Sequence, residues 1–131
     1  MRATDLMIGD WLYYRGKFNA FPFKVEQITR KKVGYHPDPY SNVMAYLRLN
    51  EEITFIPLTP MILTDNGFKE YRPGHYRLDY EEGVYINADF VAMEPFVSIH
   101  NKCYYACPVC NYLHELQHSL KLCGINKDIV I

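Results

Sequence analysis

Helical spacing of apolar side chains persists over only one long stretch of this chain. Val109, Leu113, Leu116, Leu120 and Cys123 follow one another at four, three, four and three residues, which draws a single buried stripe on a 3.6-residue turn. Upstream, apolar and polar residues alternate in short runs cut by Gly and Pro, the pattern of strands joined by tight turns. A fold made of many short strands and one long helix follows from that contrast.

Residues 5–14 read as a strand entered through Gly9-Asp10, with a turn at Arg15-Gly16-Lys17. Residues 23–29 alternate and make a second strand, Arg30 to Lys32 turn the chain, and Val33 to Tyr35 begin a third. His36-Pro37-Asp38-Pro39-Tyr40-Ser41-Asn42 is a loop, because two prolines fix φ and restrict their neighbours. Residues 43–49 alternate again. The clearest local signal is Thr59-Pro60 followed by Asn66-Gly67: Thr59 is placed to cap a helix over 61–66, Pro60 to open it and Gly67 to end it in a left-handed conformation. Its apolar side presses Ile62 and Leu63 inward, with Phe68 after the cap.

Residues 75–80 and 84–86 form a hairpin about the three-residue loop Glu81-Glu82-Gly83. Further strands are expected at 90–93 and 96–99 around Glu94-Pro95, then the helix over 109–123 and a short final strand at 127–131. With 131 residues, 49% of them hydrophobic, the chain suits one compact domain over 1–131. The expected class is α+β: a twisted antiparallel sheet or small SH3-like barrel at the N-terminus, a meander, one short helix and one longer helix.

A formal charge of −1 provides no long-range attraction for nucleic acid or anionic membrane, so nucleic acid is not an expected partner. No apolar run approaches the roughly 20 residues that span a bilayer. The N-terminus lacks a secretory apolar region, and a cytoplasmic setting is expected, where the cysteines stay reduced. Tyrosine is in surplus, 12 against one Trp, and suits either half-buried sheet or a binding surface.

The stretch from Cys107 to His118 is the richest in possible chemistry. His114-Glu115-x-x-His118 spells a zinc hydrolase motif, in which two imidazoles one turn apart hold the ion and the Glu activates water. That chemistry needs a third protein ligand, and Glu94 and His100 are the upstream candidates. Cys107, Cys110, His114 and His118 follow three, four and four, a second stripe about 100° from the first, and could hold a structural zinc. One straight helix spreads such ligands roughly 5–6 Å apart, so Cys107 would have to fold back. Cys107-x-x-Cys110 also has the spacing of a redox dithiol. The plainest reading is an amphipathic helix with polar flanks, and no cofactor is expected.

Ile8-Gly-Asp-Trp-Leu12, Lys24-Val-Glu-Gln-Ile28, Ile56-Pro-Leu-Thr59 followed by Ile62-Leu63 and Gly67-Phe68, and Leu113-His-Glu-Leu-Gln117 resemble, in that order, a family of small uncharacterised bacterial proteins. Its members occur in chromosomes and in phage or mobile-element neighbourhoods, and the closing stretch from Leu122 to Ile131 also fits. The family pattern reads His-Gln-Leu-Gln-Asn where this chain has His114 to His118, so Glu115 and His118 depart from it, which speaks against catalysis. His114 and Gln117 match, and the resemblance implies a helix-to-sheet hydrogen bond or surface recognition for them. The functional expectation is a non-catalytic binding or adaptor protein with a protein partner, working through its tyrosines or through His36 and Tyr40 on the 36–42 loop. A zinc-stabilised domain ranks second and a metallohydrolase third.

Overall fold

The computed structural model describes residues 1–50, 52–91, 94–102 and 104–131. The protein is α+β, with antiparallel sheets, one short helix and one longer one, and it divides into two compact units, Met1–Ile56 and Pro57–Ile131.

In the first unit the strand expected at 5–14 begins late. Ala3–Asp5 form a single 3₁₀ turn, and Gly9, at φ 97°, swings the chain into β1, Trp11–Arg15. The fully buried Asp10 fixes that turn: its carboxylate accepts from the Met7 N–H at 2.9 Å. β1 pairs with β2 (Ala20–Lys24) on one side. β6 (Ile53–Phe55) pairs on its other side. A second sheet joins β3 (Gln27–Ile28), β4 (Lys32–Tyr35) and β5 (Ala45–Arg48), so the strand expected at 43–49 is shorter at both ends.

The single strand expected at 23–29 is bent into β2 and β3. Val25 still exchanges backbone hydrogen bonds with Gly9 and Asp10, whereas the next N–H, that of Glu26, donates to Gly34 of the other sheet. One strand thus changes sheets within two residues, as strands do at the corners of small sandwiches and barrels. Leu12, Phe23 and Ile53 from one sheet meet Val33 from the other, with Leu6 and Val25, in one core. The sheet or small barrel expected at the N-terminus therefore takes the form of two three-stranded sheets about a common core.

The second unit opens on α1, Pro60–Asp65, whose N-cap Thr59 accepts from the Ile62 N–H at 3.3 Å and whose exit passes through Gly67 at φ 90°. Leu63 and Phe68 are buried and Ile62 only half-buried. A five-stranded meander follows: β7 (Lys69–Arg72), β8 (His75–Glu81), β9 (Val84–Val91), β10 (Glu94–Asn101) and β11 (Tyr104–Ala106) lie side by side in chain order. Glu81 is still strand, paired with Val84, so the turn is Glu82-Gly83 with a register shift before it rather than a three-residue loop. The strands expected at 90–93 and 96–99 are the end of β9 and the body of β10; Ala92 and Met93 lie outside the described residues.

The long helix, α2, spans Leu113–Leu122 and not 109–123. Its start is set from outside the helix. The Leu58 N–H donates to the Asn111 carbonyl at 3.0 Å, and Pro57 bridges Tyr112, which holds the preceding residues extended. Leu113, Leu116, Leu120 and Cys123 are buried as the periodicity requires, but Val109 lies before the helix and is exposed.

No strand forms at 127–131. The buried Asn66 side chain replaces it: Oδ1 accepts from the Val130 N–H at 2.8 Å, and Nδ2 donates to Val130 O at 2.9 Å and Ile62 O at 2.8 Å. An amide side chain offers the same donor and acceptor as a peptide group, so Val130 is satisfied without a strand partner. Replacement of Asn66 by Ala removes all three bonds and should lower the unfolding free energy by about 2–3 kcal/mol, read from urea denaturation. A change under about 0.5 kcal/mol would mean that the amide clamp contributes little.

Candidate functional site

The loop at 36–42 forms one wall of an open groove of about 810 Å³ in the first unit. His36, Pro37 and Pro39 line it from the loop, and Trp11, Phe21 and Tyr35 line it from the strands. The strand side is rigid because its rings interlock: Phe21 lies 5.7 Å from Tyr35 and 5.2 Å from Tyr14, and Phe23 lies 5.2 Å from Tyr35. The loop is shaped by its own polar groups. His36 Nδ1 lies 3.2 Å from Val43 O, the Tyr40 N–H donates to Asp38 Oδ1 at 2.9 Å, and the Val43 N–H donates to Ser41 Oγ at 3.1 Å. Lys24 and Glu26 place one charge of each sign on the lining. Of the two loop residues expected to bind, His36 lines the groove; Tyr40 stands almost fully in solvent beside it.

The residues from Cys107 to His118 separate into different environments. Cys107 is exposed, Cys110 is buried with Sγ 3.7 Å from Ser119 Oγ, and neither is on the helix. His114 is buried and its ring meets that of His118 edge-on at 5.4 Å. Gln117 is half-buried on the same helix. Among the described residues no three of His, Cys, Asp and Glu gather as metal ligands would; Cys103 lies outside them. The stripe expected from Cys107 through His118 therefore does not exist as one helical face, because the helix begins after its first two members.

Glu115 has a structural task. Its Oε1 accepts the N–H groups of Asn111 at 3.1 Å and Tyr112 at 3.0 Å, closing the first turn of α2 and placing negative charge where the helix dipole favours it. The carboxylate that a zinc hydrolase would present to water is engaged at a helix end.

The open face of the meander carries an array that no local pattern announced. Register sets Tyr85 of β9 opposite His100 of β10, and His100 opposite Tyr105 of β11. Their rings are nearly parallel, 12° apart in both pairs, with centroids at 4.3 and 5.4 Å. The Arg77 guanidinium covers the other face of Tyr85 at 3.8 Å and is itself held by Asp79 at 3.0 Å. His75 and Asp89 share a 2.6 Å hydrogen bond on the same face. The signal lay in residues 5 and 15 positions apart, readable only once the strand register was known.

No protein-family model, curated protein or solved structure matches this chain. Among the described residues no helix is long and apolar enough to cross a membrane.

Three outcomes follow from the surroundings of Glu115, Cys107 and Cys110. Glu115→Ala should destabilise the protein by about 1 kcal/mol, the ordinary worth of a helix cap, and Glu115→Gln, which keeps an acceptor oxygen, by less. Burial pushes the Cys110 thiol up to about 11, Ser119 opposing and Glu115 and Cys123 adding to the rise. The folded state thus holds that proton more tightly than the unfolded state. Its contribution to stability is constant below the ordinary thiol range and is lost as the pH climbs toward about 11. Cys110→Ala leaves a small cavity at every pH, so in urea titrations the wild-type protein should hold a constant lead that shrinks only in that alkaline window, and peptide mapping at neutral pH should find Cys107 alkylated long before Cys110.

Proposed function

We propose that this protein is a non-catalytic binding module that takes an extended, proline-containing segment of a partner protein into the groove between the 36–42 loop and the aromatic strands of its first unit. The observation that carries this reading is the lining itself: Trp11, Phe21 and Tyr35 face a wall of Pro37, Pro39 and His36. Proline-rich segments hold a preformed left-handed helix with little entropy to lose, and aromatic-lined grooves on small β units are the surfaces that read them. The groove is open, which suits a chain passing through better than a small molecule that must be enclosed. Lys24 and Glu26 give the segment a direction by favouring opposite charges at the two positions they flank. On the sequence resemblance we also propose a bacterial protein of chromosomal or mobile-element origin.

Trp11 is the only tryptophan in the chain and lines the groove, so it reports on occupancy. Peptides selected from a random display library against the full chain should be enriched in proline and should shift Trp11 emission. Asn42→Phe, which places a ring in the groove from the loop side, should weaken them about tenfold or more. Selected peptides that leave Trp11 emission unchanged, or that bind Asn42→Phe equally well, would remove the groove from consideration.

A further inference from the structure

The aromatic ladder on the open face of the meander ends at a sheet edge. β11 is the terminal strand, and its Tyr105 is two-thirds exposed. We propose that β11 is a strand-addition site: an extended basic segment of a partner pairs with Tyr104–Ala106 and lays an arginine on the outer face of the Tyr105 ring.

Three observations carry this. Strands in a sheet lie about 4.8 Å apart, and the ladder's ring separations of 4.3 and 5.4 Å bracket that spacing. A strand added beside β11 therefore brings the side chain opposite Tyr105 to stacking distance without any rearrangement. The ladder already shows which group it accepts at an end, since the Arg77 guanidinium caps Tyr85 at 3.8 Å. The two edges of the sheet also differ. β7, at the far edge, reads Lys-Glu-Tyr-Arg and is exposed throughout, the charged composition that keeps stray strands off. β11 reads Tyr-Tyr-Ala and has no charge.

Charge selects the partner. Residues 57–131 contain nine Asp and Glu against six Lys and Arg, a formal charge of −3, so this unit favours a basic segment over an acidic one. The site is separate from the groove and does not depend on it.

The test uses the full chain and a capped nine-residue peptide of alternating Thr and Val with Arg at its centre. In a two-dimensional amide spectrum the peptide should shift the signals of β11 and β10. Tyr105→Ala should weaken binding about two- to fivefold, the range of an exposed cation–π contact, while Tyr105→Phe, which keeps the ring, should not. A peptide with Glu at its centre should bind more weakly than the Arg peptide. Shifts confined to residues 11–42, equal affinity for Tyr105→Ala, or no shift at millimolar peptide would each overturn the proposal. Self-association of the free protein that is abolished by Tyr105→Ala would overturn it as well, since the edge would then be closed by a second copy.

Discussion

The register of β8, β9 and β10 is the constraint on which the second unit depends. Side chains alternate faces every residue, so one pairing sets two surfaces at once. Ala88 lies opposite both Tyr76 and Val97, and Ile86 lies opposite both Leu78 and Ile99, which puts the apolar members together. The same pairing sets Tyr85 opposite His100 on the other side. A slip of one residue would turn the core outward and break the ring stack together. The packed interior therefore also fixes the positions at which the exposed rings meet.

The first unit solves a different problem with fewer residues. Two short sheets must share one core, and the chain manages this by bending at Val25-Glu26 instead of inserting a loop. The bend places Phe21 and Phe23 before it and Tyr35 after it close enough to interlock, with centroids 5.2 to 6.4 Å apart. The groove floor is thus a by-product of how the core is closed, and its shape is as rigid as the core beneath it. The loop that makes the other wall is held by the turns within it, and adjustment to a ligand falls first to that side.

What could be read from the sequence was what local chemistry determines. Thr59, Pro60 and Gly67 each act on the backbone within a few residues, and α1 forms where they place it. The 36–42 loop was legible as an interruption, because Pro37 and Pro39 act on the backbone beside them. Features set by distant partners were not legible. Val109 fits the helical period, yet the helix starts at Leu113 because Leu58 holds Asn111 extended. Residues 23–29 alternate except at Glu26-Gln27, where two polar residues follow one another, and that slip in phase is the one local sign that the strand changes sheets after Val25. Residues 127–131 have strand composition, but a side-chain amide 64 residues upstream takes the place of a neighbouring strand. His114, Glu115 and His118 had the letters of a metal centre, and the letters could not show that Glu115 would be needed to close its own helix. The Arg77, Tyr85, His100 and Tyr105 ladder has no local signature because four strands must align before it exists.

The Asn66 clamp also bears on chemical ageing. Asn66 is followed by Gly67, the neighbour that least hinders attack of the backbone on a side-chain amide. Such attack expels ammonia and closes a succinimide, which water opens to isoaspartate or aspartate, and either product lacks the NH₂ that now donates to Ile62 O and Val130 O. Even the aspartate product, nearly isosteric with Asn66, turns two attractions into repulsions at a buried site. The fold opposes that conversion at both ends, since the amide is enclosed by its hydrogen bonds and the Gly67 N–H that would attack it donates to Thr64 O.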